Sequence, residues 1–157
     1  MFDGLSTGMQ ADDAATLDNL SSWTIFFVFK TNNGQAFGAI VDHGGQFYVE
    51  MNFGAGAIFA GIQGGGTDLV GAISIVDNQW HRGIVTVNST AASLYIDGIL
   101  DTTATFPAQG HSTSPYLLGM QPNTTVTDSS IIAVGIATRG LSVSEVRRLD
   151  TILASYP

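Results

Sequence analysis

Between Gln46 and Phe53 the side chains alternate strictly: Phe47, Val49, Met51 and Phe53 are apolar, and Gln46, Tyr48, Glu50 and Asn52 are polar or amphipathic. A period of two puts the first set on a core and the second in water, the mark of a half-buried strand. Gly54, Ala55 and Gly56 then supply a tight turn, and residues 57–63 read as the hairpin partner. Trp23 to Lys30 is apolar on both faces, with Trp23, Ile25, Phe27 and Phe29 set against Phe26 and Val28, which predicts a central strand covered on both sides. In 131–138, Ile132, Val134 and Ile136 share one face. The small Ala133, Gly135 and Ala137 share the other, where another layer is expected to approach closely. Further strands are expected near 2–10, 37–42, 69–75, 80–87, 93–97 and 116–120. Roughly ten short strands separated by Gly-, Asn- and Asp-rich turns predict an all-β chain folded as a two-sheet antiparallel sandwich.

One helix closes the chain. Ser142 is a natural N-cap, Glu145 completes a capping box, and Val143, Val146, Leu149 and Ile152 form the expected apolar stripe. The basic pair Arg147 and Arg148 reads as charge near the helix end. A second, weaker helical turn is expected between Ala11 and Leu20. With no internal repeat and no Pro-rich linker, residues 1–157 read as a single domain.

Composition narrows the function. Charged residues make up 11% of the chain, against about 25% in an ordinary globular protein. The surface is therefore covered by Ser, Thr, Asn, Gln and Gly, as in extracellular binding modules and in subunits of larger shells. Five basic residues against thirteen acidic ones give a net charge of −8, which excludes nucleic acid as a partner. The absence of cysteine removes disulfides, zinc–thiolate sites and thiol nucleophiles. MFDGLSTGMQ lacks the basic stretch and apolar run of a signal peptide, and no apolar run approaches the roughly 20 residues that span a bilayer. The polypeptide as written is expected to be soluble, with no membrane insertion.

Three segments together resemble a known superfamily. Phe2-Asp3-Gly4, followed by WTIFFVFK from Trp23, is similar to the opening of laminin G-like domains. DNQWHRGIVTVNSTAASLYIDG, from Asp77 to Gly98, looks like that family's most recognisable element: a turn, Trp-His opening a strand, then an aliphatic-Tyr-aliphatic-Asp-Gly hairpin. YLLG from Tyr116, a late apolar strand and LSVSEVRRL match the closing pattern. The resemblance covers nearly the whole chain. It implies a concanavalin A-like jelly roll, a laminin G-like domain whose relatives mostly bind glycans or proteins, some through calcium. Stand-alone copies occur in bacterial surface and phage virion proteins. This chain departs from many relatives in its low charge and its lack of an obvious calcium loop.

Catalysis finds little support in the residues. The glucanase branch of this fold needs two carboxylates about 5.5 Å apart across a sugar. The only glutamates are Glu50 and Glu145, and the Glu-x-Asp-x-x-Glu pattern is absent. His43, His81 and His111 have no G-x-S-x-G elbow beside them. His81 reads as structural, Trp80 as core, and His43 and His111 as surface residues in loops. Gly64-Gly65-Gly66 is not followed by Gly-Lys-Ser/Thr and reads as a flexible turn, not a phosphate cradle. Asn88-Ser89-Thr90 and Asn123-Thr124-Thr125 fit the glycosylation sequon, which matters only in a eukaryotic secretory pathway. Calcium is the one cofactor to consider, with Asp42, Asp68, Asp77 and Asp128, beside Asn123, as candidate oxygen donors in predicted turns. The same residues also occupy turns simply because they tolerate them. The candidate ligand platform is the polar face of the Gln46 strand, namely Gln46, Tyr48, Glu50 and Asn52.

The chain is therefore expected to be a non-enzymatic recognition module at an extracellular, cell or virion surface, binding a surface glycan or glycoconjugate, or a protein surface, for adhesion. The alternative is a decoration or fibre subunit of a phage capsid or tail, which would form a homo-oligomer or larger assembly.

Overall fold

The computed structural model describes residues 2–3, 9–31, 38–44, 46–52, 56–62, 68–107, 113–119 and 128–156. Its elements run β1 (Phe2–Asp3), β2 (Met9–Ala11), a 3-10 turn (Ala15–Leu17), β3 (Ser22–Thr31), β4 (Gly38–His43), β5 (Phe47–Asn52), β6 (Ala57–Ile62), β7 (Asp68–Val70), β8 (His81–Asn88), β9 (Ala91–Ile96), β10 (Ile99–Thr105), β11 (Tyr116–Leu118), β12 (Asp128–Ala137) and α1 (Val143–Leu153). Antiparallel pairing builds two six-stranded sheets, the first ordered β1-β12-β3-β8-β9-β10 and the second β2-β11-β4-β5-β6-β7. The sandwich inferred from alternation is thus the observed fold.

Period-two patterning sets which residues meet between the sheets. Trp23, Ile25, Phe27 and Phe29 from β3 face Phe47, Val49 and Met51 from β5 and Ile58, Ala60 and Ile62 from β6, all buried in one cluster. The Trp23 ring stacks on Phe47 at 5.2 Å across this core. The far side of the first sheet carries a second cluster, where Val28, Ile84 and Tyr95 pack against Val146 and Leu153 of α1. Strand β3 is therefore covered on both faces, as its sequence predicts. The Thr24 hydroxyl donates to the Arg139 carbonyl (2.9 Å) and the Leu141 amide donates to the Thr86 hydroxyl (2.8 Å). These bonds hold the segment that leads into α1 against the sheet.

Helix α1 begins at the expected capping box, with Ser142 accepting from the Glu145 amide and Glu145 reaching back to the Ser142 amide. Arg139 first, then Ser142, pulls the Glu145 carboxyl down to about 2. The expected stripe is corrected at both ends, because Val143 and Ile152 are 52% and 55% exposed while Leu153 is buried. The helix lies on a flat sheet face and buries the narrower line Val146, Leu149, Leu153. Arg147 and Arg148 stand in its middle; its last turn carries no basic residue.

Other expectations need adjustment. A bulge between Ile131 and Ala133 shifts the face pattern of β12, so Ile131 packs on the core and Ile132 is exposed. The stretch 2–10 contributes β1 and β2 to different sheets, and the 69–75 strand is only β7. The weak helical turn between Ala11 and Leu20 is the 3-10 turn. Alternation does not single out β10, an edge strand of Thr and Ala with two exposed apolar residues at its start. Gly64-Gly65-Gly66, His111, Asn123 and Phe53 to Ala55 lie outside the described residues.

Three cross-strand glycines sit under aromatic rings. A Cβ at Gly83 would stand 2.1 Å from Phe27 Cζ, one at Gly135 2.1 Å from Phe26 Cζ, and one at Gly61 2.4 Å from the Tyr48 hydroxyl. The close approach expected at Gly135 thus comes from a ring on the neighbouring strand of the same sheet. Phe27 is fully buried, so its ring cannot swing aside freely. Gly83→Ala is expected to lower unfolding stability by about 1–3 kcal/mol, the usual cost of overpacking a close-packed core. Urea titration checks this, and an unchanged midpoint would show that the ring relocates without strain.

Candidate functional site

Register brings together residues that lie far apart in the chain. Asp42 pairs with Tyr48, Tyr48 with Gly61, and Gly61 with Asp68, which makes one row across β4, β5, β6 and β7. Because Val49 and Ala60 point into the core, this row lies on the outer face of the second sheet. Gly61 leaves room for the Tyr48 ring, whose hydroxyl donates to Asp68 Oδ1 at 2.5 Å. In the next row Glu50 pairs with Phe59 and Phe59 with Val70. The Phe59 ring stacks on Tyr48 with centroids 5.7 Å apart and planes 19° from parallel. Two stacked rings, a half-buried Asp68 and an exposed Val70 thus form a continuous patch.

Its electrostatics are those of carboxylates held close to apolar surface. Asp42 is 4% exposed and its Oδ1 has no hydrogen-bond partner. Burial pushes its pKa up to about 6 against the opposing pull of His43. Burial first, then the bond to Asp68, raises the Tyr48 phenol above its usual range.

The structure places the four residues of the predicted platform differently. Tyr48 is half-buried on this face and Glu50 is buried beside it. The Asn52 side chain lies outside the described residues. Gln46 is a correction: it is fully buried, because it precedes β5 in the turn after β4 and faces a polar knot. Its carbonyl oxygen meets His43 Nδ1 at 2.9 Å and its amide donates to Asp18. The same knot holds His43 Nε2 3.2 Å from Asp13, and stacks the His43 ring on Tyr116 at 3.8 Å. His43 is therefore a buried structural group, not the surface residue its flanking glycines suggest. Phe59 and Gly61 were the partners missing from the sequence reading; alternation in β6 marks their face, but only register places them beside Tyr48.

The four candidate metal donors do not converge. Asp42 and Asp68 share the Tyr48 row, separated by Tyr48 and Gly61. Asp77 precedes β8 of the first sheet, and Asp128 pairs with Asp3 at that sheet's edge. Among the described residues no three His, Asp or Glu side chains are arranged to hold a metal ion.

The Trp-His and Asp-Gly elements form a structural clasp. His81 sits between Asp97 (Nδ1, 2.8 Å) and Asp77 (Nε2, 3.0 Å), while Asp97 also accepts from the Arg82 amide at 2.9 Å. The Gln79 amide, then His81, holds the Asp77 carboxyl below its usual range. Asp97 and Gly98 have φ of 51° and 76°, the left-handed pair of a tight hairpin turn. Arg82 Nε donates to Asp150 at 2.8 Å and so ties this hairpin to α1. Trp80 packs on the second cluster under Lys30, in keeping with a core role. A separate cavity of about 340 Å³ opens between α1 and the first sheet, floored by Phe26, Ala137, Leu141 and Leu149 and edged by Arg139 and Arg148.

Known structures share this architecture. The binding domain of Paraclostridial Mosquitocidal Protein 1 superimposes with a TM-score of 0.79 at 16% identity, covering 97% of this chain and 43% of that one. The binding domain of botulinum neurotoxin DC in complex with SialylT gives 0.73 at 14%, over 97% and 42%. The botulinum neurotoxin serotype G binding domain gives 0.68 at 16%, over 98% and 42%. The chain thus spans less than half the length of these binding domains. No curated protein matches the sequence. Residues 3–147 match the laminin G-like family, and the chain belongs to the concanavalin A-like lectin/glucanases superfamily.

Proposed function

We propose that this chain is a non-catalytic recognition module that binds a surface glycan or glycoconjugate outside the cell, through the outer face of its second sheet. The observation that carries the reading is the Tyr48–Phe59 stack beside Asp68, an aromatic surface next to a hydrogen-bond acceptor, which suits the apolar face and hydroxyl rim of a sugar. Structures that share the fold include one described as showing that cell entry of botulinum neurotoxin type C depends on two ganglioside molecules, which supports a glycoconjugate ligand in general; the acidic sugar of a ganglioside is not carried over to this chain. The two glutamates support a non-catalytic role: Glu50 lies on the outer face of the second sheet and Glu145 in α1 on the outer face of the first, so they cannot flank one glycosidic bond. Among the described residues no helix is long and apolar enough to cross a membrane.

The test is a broad glycan array followed by titration of whatever binds. Tyr48→Ala is expected to weaken binding at least about ten-fold by removing a stacking platform, with the fold kept. Unchanged affinity would remove this face from consideration. Binding is expected to survive chelator, since the four aspartates stand apart; loss under chelator would assign a cation to the site instead.

A second reading, a subunit of a larger shell, is favoured by Ile99 and Leu100, which are 63% and 52% exposed on edge strand β10. Light scattering separates the two. A monomer at all concentrations supports recognition, and an oligomer dispersed by Ile99→Lys with Leu100→Lys supports assembly.

A further inference from the structure

The five basic residues of the chain are all described, and they share one side of the sandwich. Lys30 stands 5.1 Å above the Trp80 ring, which packs in the cluster on the outer face of the first sheet. Arg82 pairs with Val28 on that face and binds Asp97 and Asp150. Arg139 follows β12 and pairs with Glu145 at 2.8 Å, and Arg147 and Arg148 belong to α1, which covers the same face. The strands of the second sheet carry no lysine or arginine. Around the Tyr48–Phe59 stack its outer face carries Asp42, Glu50 and Asp68.

The hydrogen-bonding character of this face follows. An ionised carboxylate only accepts hydrogen bonds, and among the described residues beside the stack the one hydroxyl proton, that of Tyr48, is already given to Asp68. Asp42 adds an independent, buried carboxylate beside the stack. It is 96% buried by its 4% exposure, it lies in the Tyr48 row, and its Oδ1 has no partner. A buried carboxylate in poorly polarisable surroundings projects its field further than one in water. A ligand at the stack therefore meets acceptors and negative charge. Sugar hydroxyls and ammonium groups supply what the described residues of this surface lack, whereas a carboxylate or sulfate ester brings more acceptors and more negative charge.

We infer that the ligand of the Tyr48 face, on the recognition reading proposed above, is a sugar that is neutral or bears a free amine, and that sialylated and sulfated glycans are excluded from it.

The experiment is an array of matched pairs: lactose with sialyllactose, sulfated with unsulfated versions of one glycan, and chitosan with chitin oligomers of equal length. Bound glycans are expected among the neutral and amine-bearing members, chitosan exceeding chitin, with each acidic counterpart at least ten-fold weaker. Asp68→Lys is expected to admit the acidic members. Should that variant fold poorly, Asp68→Asn keeps an acceptor for Tyr48 and is expected to narrow both gaps. An acidic glycan that binds as well as its neutral partner, and is lost in Tyr48→Ala, overturns the inference while the recognition reading stands. A blank array from folded protein, or binding indifferent to Tyr48→Ala, overturns that reading and the inference with it.

Discussion

Replacing Asp97 by alanine is expected to lower the unfolding free energy by about 3–4 kcal/mol, a large share of what a domain of this size usually has. The carboxylate accepts from the Arg82 amide at 2.9 Å and meets His81 at 2.8 Å, and with the Asp97 side chain 29% exposed each of these charged bonds contributes about 1.5 kcal/mol, the low end of their range. Alanine would also have to hold a φ of 51°, which costs a further 1 kcal/mol or so. Asp97→Asn separates these contributions, because asparagine tolerates the left-handed turn and retains an acceptor, and about half of the loss is expected. Urea unfolding monitored through Trp23 and Trp80 gives both values. A fall below about 1 kcal/mol in the alanine variant would mean that core packing alone sets the hairpin.

Asp42 is expected to act in the opposite sense, stabilising the fold when protonated. Its pKa rises from 3.8 to about 6 on folding, so the native state holds the proton more tightly than the unfolded chain. The stabilisation is complete below pH 4 and is lost as pH rises through 6. A shift of that size corresponds to at most about 3 kcal/mol. Asp42→Asn, permanently neutral, is expected to gain about 1–3 kcal/mol over the native chain at pH 7.5 and nothing at pH 4. Carboxyls with lowered pKa values, such as Asp77 and Glu145, run the other way, losing stability as pH falls, but they are common to both proteins and cancel in the difference. A pH-independent difference would show that the buried oxygen is satisfied in solution. A buried carboxylate kept at that cost beside Tyr48 favours the binding role proposed for this face.

What the sequence reveals here is local. Phe47, Val49 and Met51 point inward because strand periodicity leaves no other choice once Trp23, Ile25 and Phe27 supply a facing layer. Ser142 and Glu145 announce a helix because two orphan amides need those two side chains. The Asp97-Gly98 turn is likewise visible because few residues accept a positive φ. What stayed hidden depends on partners remote in sequence. Gln46 and His43 look like loop residues until Asp13 and Asp18 are brought up to satisfy them. Asp42 and Asp68 look like turn formers until register sets them either side of Tyr48 and Gly61. One inserted residue at Ile132 reverses a face assignment that alternation alone makes with equal conviction either way.

The rings that lie over glycines have a consequence for how the chain can change through descent. At Phe27 with Gly83, Phe26 with Gly135, and Tyr48 with Gly61, one strand's ring occupies the volume of its neighbour's missing side chain. Each pair is a single steric unit encoded at two distant codons, and the glycine cannot readily gain a side chain while the ring stays in place. Filling Gly83 is expected to be tolerated only in lineages where position 27 has already lost its ring, and the double change should be milder than the glycine substitution by itself. For Tyr48 and Gly61 the same linkage ties a structural glycine to the face proposed to bind a ligand, so replacing the ring there also changes the packing over Gly61.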